Sequence, residues 1–213
     1  MVRKAYTIVF LLLLLSPACT GIPEGVTAVT GFELNRYLGR WYEIVRLDHP
    51  FERGLTNVYA EYRLRDDGGL NVVNRGYDAE ENQWQQAEGR AYFVESPDVG
   101  RLKVSFFGPF YGGYNIIALD KDEYSWSMVC GPDRSYLWIL ARSPQMDAEV
   151  LSDLVNQAKG LGFNTDELIY VDHSLVAPQH LARPDLVVFP ELFFAGGAFD
   201  GEHGEKERRR LIF

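Results

Sequence analysis

Gly39-Arg40-Trp41-Tyr42-Glu43-Ile44 opens the first of many short, aromatic-rich runs in this chain, and its reading decides the fold. Trp41 is placed to plug the floor of a barrel. Far downstream, Tyr136-Leu137-Trp138-Ile139-Leu140-Ala141-Arg142 ends on a cation. A planar guanidinium can lie flat on an indole face, an arrangement worth about 0.5–2 kcal/mol depending on desolvation. Pairing Trp41 with Arg142 ties the first strand of an up-and-down sheet to the last. The competing reading is an ordinary core Trp and an unrelated surface Arg, and the segments between them decide.

Those segments read as strands, each bounded by Gly, Asp, Asn or Pro. Arg40 to Leu47 is the first. Thr56 to Arg65 follows, closed by the hairpin turn Asp66-Asp67-Gly68-Gly69. Then come Leu70 to Tyr77, Trp84 to Val94, Arg101 to Phe107, Tyr114 to Leu119, Tyr124 to Cys130 and Tyr136 to Arg142. Tight turns with no helix between them predict antiparallel neighbours in sequence order. Eight strands close into a barrel whose interior holds one small ligand. A sandwich needs longer connections crossing between two sheets. The fold expected is therefore all-β: an eight-stranded up-and-down antiparallel barrel. Phe32 to Leu38 could form a single helical turn ahead of the first strand. Asp147 to Lys159 carries Val150, Leu151, Leu154, Val155 and Ala158 on one helical face, predicting one helix packed outside the barrel with Gly160 as its stop. Leu168 to Val171 is a short final strand.

Side-chain parity separates the two faces of each strand. Ala60 and Tyr62 share a face of the second strand, and Gly89 and Ala91 share one of the fourth. Leu102, Val104 and Phe106 do so in the fifth, and Tyr114, Ile116 and Ala118 in the sixth. Tyr136 and Trp138 share a face of the eighth, with Leu137 and Ile139 assigned to the wall under the helix. The inward set mixes small residues with large rings. Small residues on one wall leave room, and rings on the other supply an apolar surface with a few polar tips, which is the composition of a ligand cavity. The competing reading has the rings fill what the small residues vacate. The expected ligand-binding set is Ala60, Tyr62, Gly89, Ala91, Leu102, Val104, Phe106, Tyr114, Ile116, Tyr136 and Trp138.

The amino terminus is a targeting segment. Arg3-Lys4 precedes an apolar run, Ile8 to Leu15, that is too short to span a bilayer. Ser16-Pro17-Ala18-Cys19 follows it and resembles a bacterial lipobox, which makes residues 1–18 a signal peptide and Cys19 a lipidated first residue. Several acyl chains on one Cys hold a protein durably on a membrane. Residues 19–31 read as a tether. The only other cysteine, Cys130, then lacks an intramolecular partner and reads as a small buried hydrophobe. The net charge of −9 argues against a nucleic-acid partner. No spaced His or Cys cluster points to a metal or haem, so no cofactor is expected. Residues 174–213, broken by Pro178, Pro184 and Pro190, form a tail of unassigned role.

Taken together, these strings resemble the lipocalin family, and within it the bacterial outer-membrane lipoprotein branch. The likeness runs from about Gly25 to His173. Gly39 to Ile44 is similar to the family's first signature, Gly131-Pro132-Asp133-Arg134-Ser135-Tyr136 lies where the second falls, and Arg142 holds the place of the third. Phe51-Glu52-Arg53-Gly54-Leu55, Arg65 to Val72 and Lys103 to Asn115 match the bacterial group. The resemblance implies a lipocalin domain over 32–173 and a calyx open at one end. It implies a fatty acid or lysophospholipid inside, stored or transported for envelope maintenance, and homodimers in some members. Gly39, Trp41 and Arg142 would form the barrel-floor signature. Thr20, where an Asp would retain the lipoprotein elsewhere, implies anchoring in the outer membrane facing the periplasm.

Two other classes compete with a non-catalytic carrier. A lipocalin-fold enzyme would use Cys130 as nucleophile, with a base from His49, His173, His180 or His203. A structural envelope protein would have a filled barrel. The size of the interior void separates the latter from the carrier.

Overall fold

The computed structural model describes residues 20–174 and, beyond them, Val187 and Val188. The segment expected to be a signal peptide, Cys19 and the rest of the tail lie outside the described residues.

A short helix, α1 (Leu34–Tyr37), leads into eight strands: β1 (Gly39–Arg46), β2 (Leu55–Leu64), β3 (Leu70–Asp78), β4 (Gln83–Phe93), β5 (Arg101–Phe107), β6 (Phe110–Leu119), β7 (Trp126–Cys130) and β8 (Leu137–Ala141). Each pairs antiparallel with its successor, and β8 returns to β1 through Tyr42 opposite Ala141 and Arg46 opposite Trp138. The sheet thus closes into the expected barrel. The first strand and the last are neighbours, as a Trp41–Arg142 contact requires.

Closure is uneven. β4 and β5 pair only from Arg90 to Phe93, so the first half of β4 has no β5 partner. There Val187–Val188 (β10) runs parallel to Gln85 and Gln86. Bulges interrupt the ladder in β1 between Glu43 and Val45, and in β6 between Ile116 and Ala118. A bulge places two residues opposite one and flips the parity of all that follows. Ala118, expected inside with Tyr114 and Ile116, accordingly packs with Ile117 in the outer core.

That outer core lies between the barrel wall and α2 (Ala148–Gly160). Leu137, Ile139, Met128 and Val45 are fully enclosed against Leu154 and Ala158, with Val150, Leu151 and Val155 at the margin. This is the face predicted from the 3.6-residue period. Asp147 caps the helix by accepting from the Glu149 and Val150 amides at 2.9 and 3.2 Å. Gly160 is its last residue, not its stop. The chain turns at Gly162, with φ +84°, where Gly162 N–H bonds Lys159 O and Phe163 N–H bonds Ala158 O. Those two bonds define a Schellman motif, and its left-handed residue is free of strain as Gly. A short strand, β9 (Ile169–Tyr170), then pairs with β1 on the outside.

Candidate functional site

Strand order divides the connecting turns between two ends. The turns after β1, β3, β5 and β7 share one end, and those after β2, β4 and β6 share the other with α1. A cavity of about 370 Å³ lies inside the barrel. It is lined by Phe51 and Glu52 from the β1–β2 turn, Pro132 and Asp133 from the β7–β8 turn and Phe107 and Phe110 at the ends of β5 and β6, and by none from residues 65–69, 94–100 or 120–125. The first end is therefore the mouth and the second the floor. The volume sits within the range of small-molecule pockets.

Of the side chains expected inside, Ala60, Tyr62, Ala91, Leu102, Val104, Phe106, Tyr114, Tyr136 and Trp138 line this cavity. Gly89 does not. A Cβ there would come within 2.8 Å of the Phe106 ring, so the space the glycine leaves is occupied by that ring. Filling by aromatics does occur, at this one position. Ile116 does not line the cavity either. It is fully buried below it, in the floor cluster with Trp41, Leu119 and Tyr124.

The floor is sealed as the sequence suggested. The Arg142 guanidinium carbon lies 3.9 Å from the centre of the Trp41 ring. Trp41 is fully buried and donates its indole N–H to Tyr37 O at 2.8 Å. Arg142 donates to Arg40 O at 2.8 Å and Arg36 O at 2.6 Å, so one cation also closes the carbonyls of α1 and the start of β1. Gly39, at φ +91°, passes directly beneath, where a Cβ would sit 3.5 Å from Arg142 Nη1. Above the indole, Tyr114 Oη meets Tyr37 Oη and Tyr62 Oη, each at 2.8 Å. Burial pushes the Tyr37 phenol up to about 12, so the three hydroxyls stay neutral.

Nearer the mouth lies a group the sequence did not signal. Arg46 pairs with Glu43 at 2.7 Å and donates to Glu52 O at 2.7 Å. The Glu52 carboxylate is 4.0 Å from Arg46 Nε and accepts from Trp138 Nε1 at 3.1 Å. All three charged side chains are nearly completely buried, and both glutamates line the cavity. Two carboxylates thus share one guanidinium. Burial, then the neighbouring Glu43 carboxylate, pushes Glu52 up to about 8, and burial raises Glu43 as well. Beside them His49 is stacked between Phe51 and Tyr136, with ring centres 5.0 and 4.8 Å away. Burial and the Arg46 cation push it down to about 4, so it is a neutral ring in this wall. Strand alternation does put Glu43 on the inward face with Trp41. The bulge that turns Arg46 inward and the loop that returns Glu52 leave no periodic trace.

Cys130 is fully buried, and burial pushes its thiol up to about 12. The thiolate a nucleophile needs is suppressed there. No group of His, Cys, Asp or Glu able to hold a metal ion occurs among the described residues.

A family profile described as a lipocalin-like domain matches residues 32–173. The chain is 53% identical over 165 residues to outer membrane lipoprotein Blc of Vibrio cholerae, covering 76% of this chain and 96% of that protein. It is 58% identical over 149 residues to outer membrane lipoprotein Blc of Escherichia coli, covering 70% and 84%. Temperature-induced lipocalin-1 of Arabidopsis thaliana is 32% identical, covering 74% and 88%. Among solved structures, insecticyanin from Manduca sexta superposes with a TM-score of 0.58 at 20% identity, covering 80% of this chain and 93% of that one, which supports the fold alone.

Proposed function

The chain belongs to the lipocalin family, and from that premise we propose that it is a lipid-anchored outer-membrane carrier holding one fatty acid or lysophospholipid in its barrel for envelope maintenance. The observation that carries this reading is the cavity: about 370 Å³, walled by aromatic and aliphatic side chains and open at one end. Each methylene moved into such a wall gains about 0.8 kcal/mol, so an acyl chain supplies affinity without a specific polar contact. The tyrosine hydroxyls at the bottom pair with one another and ask nothing of the ligand. The polar head is left at the mouth, beside Glu52 and Asp133. Anchoring through Cys19 is supported by the lipobox and by the relatives named outer membrane lipoproteins. A filled structural barrel is disfavoured by the same void, and thiol catalysis by the enclosed Cys130.

The test uses delipidated protein truncated before the anchor. Palmitate or lysophosphatidylethanolamine should bind at one per barrel in calorimetric titration. Trp138→Glu places a third carboxylate beside Glu43 and Glu52 and should abolish binding. Ala91→Trp should do so by occupying the lumen. Native circular dichroism from either variant together with undiminished binding would put the ligand somewhere else.

A further inference from the structure

We propose that the barrel sits mouth-down on the bilayer, with the aromatic lip of the β5–β6 hairpin seated among the phospholipid head groups. Two independent features point to this surface, and the inference rests on the reading that Cys19 is acylated.

The first is where the amino-terminal segment meets the barrel. Asn115 Nδ2 donates both to Gly21 O at 2.9 Å and to Gly131 O at 3.1 Å. Arg134 bonds Glu24 O at 2.6 Å and Leu161 O at 2.8 Å. Gly131 and Arg134 belong to the β7–β8 turn, at the mouth. From there the segment descends the wall. Val29 bonds Ile116 and Gly100, Thr30 pairs with Val99, and Phe32 N–H reaches Asp98 O at the floor. The strap therefore starts at the open end. Only Thr20 separates Cys19 from Gly21 in the sequence, and two residues of chain reach at most about 7 Å. Acyl chains on Cys19 emerge beside the mouth, and the floor cannot face the membrane unless the strap peels off.

The second feature is the lip itself. Phe107 and Phe110, 36% and 47% exposed, flank Gly108-Pro109 at the tip of the β5–β6 hairpin. Both also line the cavity, so the exposed rings continue its apolar wall to the outside. Exposed aromatics that form one surface with a pocket mark a contact with something apolar. Strand order puts this hairpin next to the β7–β8 turn, on the anchored side of the rim. The acidic β3–β4 turn, with Glu80 and Glu81 exposed, stands opposite the β7–β8 turn. The barrel thus leans its aromatic half toward the lipid and turns the Glu80–Glu81 pair away, while Asp133 on the anchored side lies beside the Arg134 cation in the same turn.

The test uses the acylated mature protein in phosphatidylcholine vesicles carrying a spin-labelled lipid quencher. A fluorophore is attached at Phe110→Cys or Gly108→Cys in the lip, and at Leu64→Cys near the floor. Leu64 is 53% exposed, a Cβ at Gly108 meets open space, and the enclosed Cys130 leaves the introduced thiol as the one labelled. Lip labels should be quenched and the floor label should not. Quenching at position 64 equal to or above that in the lip, or quenching at neither, overturns the orientation. Mass spectrometry of the amino-terminal peptide is read on the same sample. If Cys19 carries no acyl chains, the anchor reading fails and the orientation falls with it. If it does carry them, the quenching pattern judges the orientation alone.

Discussion

Glu52 shows how much a single buried proton can matter in this wall. A carboxyl ordinarily near 4.5 is held up to about 8, so between those values the native state binds a proton the unfolded chain has released. Stability then falls as pH rises through that window. His49 acts the other way. Its native value is near 4 against 6.5, so stability falls as pH drops from 6.5 toward 4. The two slopes oppose each other below pH 6.5, and above it only that of Glu52 remains of the pair, with Glu43 raised in the same direction by burial. The unfolding free energy measured in urea should therefore decline from pH 6.5 to pH 8, with Glu52 contributing at most about 1.4 kcal/mol per pH unit. Glu52→Gln keeps an acceptor for Trp138 and should flatten that decline, with a gain in stability at pH 8. An unchanged slope in the variant would place the proton elsewhere. The contrast with Trp41 and Arg142 is instructive. Their pairing was legible because Trp41 lies at the start of the first patterned run, Arg142 ends the last, and their chemistry is complementary. Glu43, Arg46 and Glu52 come together through a bulge and a loop return, neither of which alternation encodes.

At the scale of elements, the helix was the most legible part, because its face recurs with one period over thirteen residues. Leu154 is the centre of that face and is 2% exposed against Ile139, Leu137 and Ala158. Leu154→Ala removes its methyl groups and leaves a hole between two rigid layers, which costs about 2–5 kcal/mol. Chemical denaturation should show that loss. Fatty-acid binding in buffer should be retained, because the outer core and the cavity lie on opposite faces of β8. If binding weakens in parallel with stability, the two layers are coupled through the wall. The strands were legible in number, order and pairing but not throughout in facing. Ala118 went outward at the β6 bulge, and Gly89 faces inward yet leaves no space because Phe106 covers it. Parity gives the direction of a side chain. It does not give the rotamer of the ring opposite, and that rotamer decides whether a small residue opens a void.

For the whole molecule, the void has a thermodynamic signature. An apolar cavity left empty forfeits the dispersion contacts of its lining, so the barrel without ligand is less stable than its core alone would allow. A ligand that binds only the closed barrel stabilises it by RT ln(1 + [L]/Kd), about 2.7 kcal/mol at a hundredfold excess over Kd. Adding palmitate to delipidated protein should thus raise the melting temperature by several degrees, further with each increment of ligand. Ala91→Trp changes both ends of that comparison. The indole enters the lumen from a position already 3% exposed, so the variant should melt at a temperature that ligand no longer moves. If instead palmitate shifts the variant as far as the parent chain, the stabilising site is not the lumen. The mouth-side aromatics Phe107 and Phe110, which border both the cavity and the outside, would then be the next surface to remove.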